Sequence, residues 1–244
     1  MRTETEIKEA VKQAYSEVAE GKRCCTTDLT QLRQDGGGYS SEEIAALPEG
    51  AALGLGCGNP TKISSLEPGM TVLDLGSGAG VDVFLAAQKV GPSGRIIGVD
   101  MTESMIEKAR ANARAGGYAN VEFRMGEIEN LPVDSGTVDV IISNCVINLA
   151  PDKDKVFAEA YRVLKPGGRM QISDMVTQGE VPEEVRRDVE KWAGCISGAL
   201  DRDLYLEKMR RSGFRRVEVV DQFAYDAYKT DTFAAMSISV VATK

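Results

Sequence analysis

The nine residues Val72 to Gly80, "VLDLGSGAG", constrain this chain more than any other stretch. An apolar run of strand character enters glycines at 76, 78 and 80, and a helical pattern, Val81 to Val90, follows at once. Glycines at that junction allow a tight turn and let backbone N–H groups come close to a ligand at a helix N-terminus. A turn that only packs a strand on a helix is the plainer alternative. Three alternating glycines directly after a buried strand make it the weaker one.

From this turn onward the pattern is regular. Strand-like "TVLDLG", "RIIGVD", "VEFRMG", "VDVIISN" and "RMQISDM" alternate with helical spacing over Val81–Val90, Glu103–Ala115 and Lys153–Leu164. Strands alternating with amphipathic helices predict an α/β, doubly wound, mostly parallel sheet of seven strands, Rossmann-like in form. Helices over Glu183–Cys195 and Arg202–Ser212, then strands "FRRVEVVDQF" and "FAAMSISVVAT", complete it. Ahead of it, Thr3–Glu20 has helical spacing. Residues 22–68 are rich in Gly, Ser, Thr and Pro, with only Ser41–Leu47 helical. The expected division is an appendage, 1–66, and the main domain, 67–244.

Composition removes several functions. A net charge of −8 without a basic footprint argues against nucleic acid. No apolar run approaches a membrane span and the first residues are polar and acidic, so the expected location is the cytoplasm, with no membrane partner. Histidine is absent, which excludes imidazole bases, Ser–His pairs and His-ligated metals.

The glycine turn selects its ligand by small departures. A dinucleotide fingerprint needs its last glycine where Val81 stands, so a nicotinamide cofactor is disfavoured. Asp100 closes the second strand, where a carboxylate can accept hydrogen bonds from both hydroxyls of a ribose. A turn or capping role is the rival reading for Asp100. Together with the glycines it points to a ribose-bearing cofactor.

Five cysteines, Cys24, Cys25, Cys57, Cys145 and Cys195, are too few for a disulfide scaffold. Cys145, in "SNCVINL", falls just past the fourth strand, at the sheet end where ligands of open α/β folds lie. A buried cysteine is more often a small core residue, but the others shift that reading. Cys57 sits between glycines in "LGLGCGNP" and reads as an approachable thiol; Cys195 has Gly194 and Gly198 nearby. Three separated thiols meeting over one cofactor would suit a soft, three-coordinate centre. Zinc ranks second, because C-x-x-C spacing is missing. Trp192 reads as a packing residue, and Asp139, Asp174 and Glu159 as solvated or capping carboxylates.

Glycine turn, acidic second-strand end, "GEIENLP", "SN" and "RVLKPGGR" resemble the class I S-adenosylmethionine-dependent methyltransferases over Glu67 to Met175. That resemblance assigns Asp74, Gly76, Gly78, Gly80, Asp100 and Met101 to the cofactor pocket, Glu127 and Ile128 to the adenine, and Asn144 to the methionine end. "LGLGCGNP", "GVDMTESMIEKAR", "SNCVINL" and "GCISGAL" narrow the likeness to the arsenite methyltransferases over Gly54 to Leu200. It implies that Cys57, Cys145 and Cys195 hold trivalent arsenic and that Cys24 or Cys25, here Cys25, relays electrons. A thiol reductant, glutathione or thioredoxin, would be co-substrate, and arsenite or its thiol conjugate the substrate. Two departures accompany the likeness: the chain ends at Lys244, short of many longer members, and "TTDL" follows the Cys24–Cys25 pair. Rival functions are C- or O-methylation of a small organic molecule and a non-catalytic thiol binder of metalloid or zinc.

Overall fold

The structure, a computed structural model, describes residues 3–22, 38–179, 198–229 and 233–244, without the side chains of 225–229. Helix α1 spans Glu4–Ala19, with α2 at Ser41–Ala45 and α3 at Pro60–Ile63. The main domain then runs β1 (Thr71–Leu75), α4 (Val81–Val90), β2 (Arg95–Asp100), α5 (Glu103–Ala115), β3 (Val121–Met125) and β4 (Val138–Asn144). It continues with α6 (Lys153–Val163), β5 (Leu164–Gly179), α7 (Arg202–Arg211), β6 (Arg215–Lys229) and β7 (Phe233–Thr243).

The strands form one sheet of seven, ordered β3-β2-β1-β4-β5-β7-β6. β1 to β5 pair in parallel, and β7 enters antiparallel between β5 and β6. Alternation along each central strand feeds two cores. Leu73, Leu75, Ile97, Val99 and Ile141 face the α6 and α7 side, with Phe157 and Tyr205 meeting edge to face at 5.3 Å. Val72, Ile96, Val140 and Ile142 face α4 and α5, around Phe84 and Ile106. A strand covered on both faces needs apolar residues at every position, and this explains the unbroken runs in the sequence.

Chain order reverses between β1 and β4, since β1 leads outward through β2 to β3 while β4 leads to β5. The loops after those two strands splay apart there and leave a crevice at the carboxyl ends. Both the glycine turn and "SNCVINL" emerge into it.

Three expectations change. β5 and β6 are longer than "RMQISDM" and "FRRVEVVDQF" because β7 pairs along them, from Arg169 opposite Thr243 to Gly179 opposite Phe233 in the case of β5. The presumed loop 22–68 contains α3, opened by proline and capped by Asn59, whose carboxamide accepts from Lys62 N at 3.1 Å. Asp174 is fully buried rather than solvated, and accepts hydrogen bonds from Tyr205 Oη at 2.9 Å and the backbone N–H groups of Met175 and Asn148. The expected helix over Glu183–Cys195 lies outside the described residues. Among the described residues no helix is long and apolar enough to cross a membrane.

Candidate active site

The glycine turn is drawn toward β2 because Gly76 N and Ser77 N both donate to Val99 O, at 2.8 and 3.0 Å. Gly76 has φ +66°, and a Cβ on it would lie 2.4 Å from Val146, so no other residue fits. Around Gly78 the space is open: a Cβ there would meet nothing within 4 Å. Asp100 anchors the turn, one carboxylate oxygen accepting from Gly78 N at 2.9 Å and the other from Thr102 N at 2.8 Å. The same carboxylate lines the cleft with Asp74, Met101, Ile128 and Asn144. The capping and ligand readings of Asp100 are therefore compatible, since each oxygen keeps a second lone pair.

Acidic side chains, Asp74, Asp82, Asp100 and Glu129, line the cleft. Burial lifts Asp74 well above the carboxylate range and raises Asp100; it pushes Asp82, in the first turn of α4, to about 7 despite hydrogen bonds from Tyr39 and Asn144. Burial also pushes Asp174 to about 7. Each of these groups binds a proton more tightly in the folded chain than in the unfolded one. Stability is therefore greatest near the unfolded carboxylate pKa, roughly 4, and declines as pH rises through 7. The unliganded protein should melt several degrees lower at pH 8 than at pH 5 by calorimetry, on the order of 2–4 °C per kcal/mol. Asp174→Asn should flatten that slope. A melting temperature that climbs across this interval would contradict the assignment.

Helix α1 roofs the cleft. Val11, Ala14, Tyr15 and Val18 face into it. Thr3 caps the helix in a reciprocal pair with Glu6. Lys8 reaches from it to Glu127 at 2.6 Å and Glu129 at 3.0 Å. Glu127, expected with Ile128 on the adenine, pairs with α1, and Lys12 approaches it at 3.9 Å; Ile128 and Glu129 line the cleft. Partly exposed pairs of this kind contribute about 1 kcal/mol or less. Lys8→Ala should accordingly speed ligand release from the cleft by a few-fold in stopped-flow measurements, and added salt should narrow the gap to the native protein; equal rates at low salt would oppose a fastening role.

The two described cysteines meet. Cys57 and Cys145, 88 residues apart, are joined as a disulfide with their Cα atoms 5.8 Å apart. Cys145 is buried at φ +56°, uncommon outside glycine, and its N–H donates to Ser173 O at 2.8 Å. That turn aims the side chain off the end of β4 toward Cys57. Cys57 is not the freely approachable thiol its glycine neighbours suggested. It is half-buried and packs with Cys145, Met101 and Tyr15 in a small apolar cluster. Cys24, Cys25, Cys195 and Trp192 lie outside the described residues. Among the described residues no group of three Cys, Asp or Glu could hold a metal ion.

Lys8, Tyr39, Asp82 and Glu129 were not anticipated. Asp82 carried a usable signal, an acid in the first turn after three glycines. Tyr39 stands in an irregular stretch whose sequence gives no hint of its neighbours. Its hydroxyl lies 2.9 Å from both oxygens of Asp82.

Comparison with known proteins accords with this arrangement. A family model described as methyltransferase domain matches residues 66–213. The chain is 46% identical over 233 residues to an arsenite methyltransferase of Halobacterium salinarum, covering 89% of this chain and 60% of that protein. It is 44% identical over 138 residues to the human arsenite methyltransferase, covering 53% of this chain and 37% of the relative. The crystal structure of an arsenic (III) S-adenosylmethionine methyltransferase from Chlamydomonas reinhardtii superposes with a TM-score of 0.71 at 34% identity, over 88% of this chain and 73% of that one. The chain thus spans 60% and 37% of the length of those two sequence relatives, less than two thirds of either. With a methyltransferase domain over more than half its length and the Chlamydomonas enzyme matched over most of both chains, it belongs to the arsenite methyltransferase family.

Proposed function

We propose that this chain transfers a methyl group from S-adenosylmethionine to trivalent arsenic held by cysteine thiolates, yielding methylarsenicals. The observation that carries this reading is the meeting of Cys57 and Cys145 beside the glycine-turn cleft.

The cleft suits the donor. Ser77 Oγ is buried there without a hydrogen-bond partner, and the open space at Gly78 leaves room for a ligand against the backbone. Asp100 would accept the ribose hydroxyls, and the carboxylates Asp74 and Asp82 would face positive charge. Ile128 and Met101 would pack the base, and α1 with Tyr15 would exclude water. Bound S-adenosylmethionine supplies an electrophilic sulfonium methyl.

In the reduced chain, Cys57 and Cys145, joined by Cys195, would exchange onto arsenite or its thiol conjugate and hold arsenic with its lone pair toward the cleft. That lone pair would form the As–C bond as the sulfonium S–CH3 bond breaks and S-adenosylhomocysteine leaves with that bond's electron pair; the lone pair carries no proton, so no general base is needed and the absence of histidine is no handicap. Alignment of the partners is the main catalytic contribution, roughly 7–11 kcal/mol in favourable cases. Arsenic loses two electrons to the new bond, and a thiol reductant of glutathione or thioredoxin type must return them, with Cys25 as the relay. A protein disulfide such as Cys57–Cys145 is the oxidised product of that return. Residues 1–66 would act as cover and thiol source for domain 67–244, in the cytoplasm.

Incubation of the reduced protein with arsenite, S-adenosylmethionine and glutathione should yield methylated arsenic, separated by chromatography with elemental detection. Absence of every methylated species would refute the reading.

A further inference from the structure

Apart from the link to Cys145, the Cys57 side chain is held by its apolar neighbours and by Ser173 O, which lies 3.7 Å from Sγ. The backbone of the segment is touched by Ser237, whose Oγ donates to the Cys57 carbonyl at 3.2 Å, and by Ser173, against which Gly58 packs closely. The firm hold comes from Asn144, the residue before Cys145. Its Oδ1 accepts from Cys57 N at 2.9 Å and from Gly58 N at 3.2 Å, and its Nδ2 donates to Gly58 O at 2.7 Å. The remaining Nδ2 hydrogen is shared between Tyr39 Oη at 2.8 Å and an Asp82 oxygen at 3.4 Å, and the Tyr39 hydroxyl donates in turn to Asp82. Approach is so close that a Cβ on Gly56, at φ +98°, would lie 2.6 Å from Nδ2.

We propose that Asn144 is a positioning residue: its carboxamide clamps the Cys57 segment against the end of β4, so the sulfur from the appendage meets Cys145, while Tyr39 and Asp82 fix the orientation of the amide. The proposal deepens the methyl-transfer reading, since it names what builds the arsenic-binding thiol pair. Two adjacent residues thereby divide the work, Cys145 supplying one sulfur and Asn144 placing the other. A leucine of similar size would fill the same space and leave the Cys57 and Gly58 amides without their acceptor. The two thiols would then find each other less often, and their effective concentration would drop.

The test uses the full chain equilibrated in glutathione buffers, where the two thiols give two electrons and two protons to oxidised glutathione, which leaves as two reduced molecules. Peptide mapping by mass spectrometry after acid quench reads the fraction of Cys57–Cys145 link directly. Asn144→Leu is expected to lower the equilibrium constant for that link roughly tenfold or more, with the reduced protein still melting within a few degrees of native. Gly56→Ala, which pushes on the same amide from the loop side, should lower it too, and carries the test if Asn144→Leu does not fold. An unchanged equilibrium in a folded variant overturns the proposal, as does a shift that appears only with loss of cooperative unfolding in both variants. Native protein that forms the link yet methylates no arsenite contradicts the methyl-transfer reading and leaves Asn144 in its role; methylation with an unaltered link in Asn144→Leu does the reverse.

Discussion

Replacing Cys145 by serine is expected to reduce arsenite methylation by roughly 100-fold, the size of loss that misplacing a reacting centre by about an ångström produces, while S-adenosylhomocysteine still binds. Serine is nearly isosteric, and the buried site at the end of β4 accepts it without a new cavity. What disappears is a soft thiolate donor to arsenic. The cofactor cleft is built mainly by other residues, the glycine turn, Asp100 and Ile128, so calorimetric titration should give nearly native affinity for the product. Retained methylation would remove Cys145 from the chemistry. Joint loss of methylation and cofactor binding would instead mark the substitution as disruptive of the cleft.

The second large effect belongs to Asp100. Asp100→Ala removes the acceptor for Gly78 N and Thr102 N together with the proposed partner of the ribose hydroxyls. Two hydrogen bonds to a charged acceptor, at about 1.5 kcal/mol each, predict an affinity loss of roughly 100-fold. The two orphaned amides should also cost stability, about 2 kcal/mol in total, which lowers the melting temperature by roughly 4–8 °C. Asp100→Asn keeps a neutral acceptor and should fall between. Titration with S-adenosylhomocysteine measures the first effect and calorimetry the second. Native affinity in Asp100→Ala would assign the carboxylate to the turn alone.

Residues whose positions follow from backbone pattern were legible in the sequence. Helices Val81–Val90 and Glu103–Ala115 and strands Arg95–Asp100, Val138–Asn144 and Phe233–Thr243 have the bounds that periodicity gives, because two-sided burial imposes unbroken apolar strands and stop signals flank them. The reversal of chain order at β1 and β4 then placed the glycine turn and Cys145 at one crevice. Partners brought in from irregular segments were not legible. Asn144 meeting Gly58, Tyr39 meeting Asp82 and Lys8 pairing with Glu127 each depend on long-range loop placement, for which local periodicity carries no signal. Asp174 was misread for a related reason: its burial depends on Tyr205, from a helix 31 residues away, and on the turn after Cys145.

Arsenic X-ray absorption of the reduced protein loaded with one equivalent of arsenite reads the bound atom's neighbours directly. The account predicts a first shell of sulfur alone, losing sulfur on Cys57→Ser and again on Cys145→Ser. An oxygen shell like that of free arsenite, or a sulfur shell unmoved by either substitution, would contradict it.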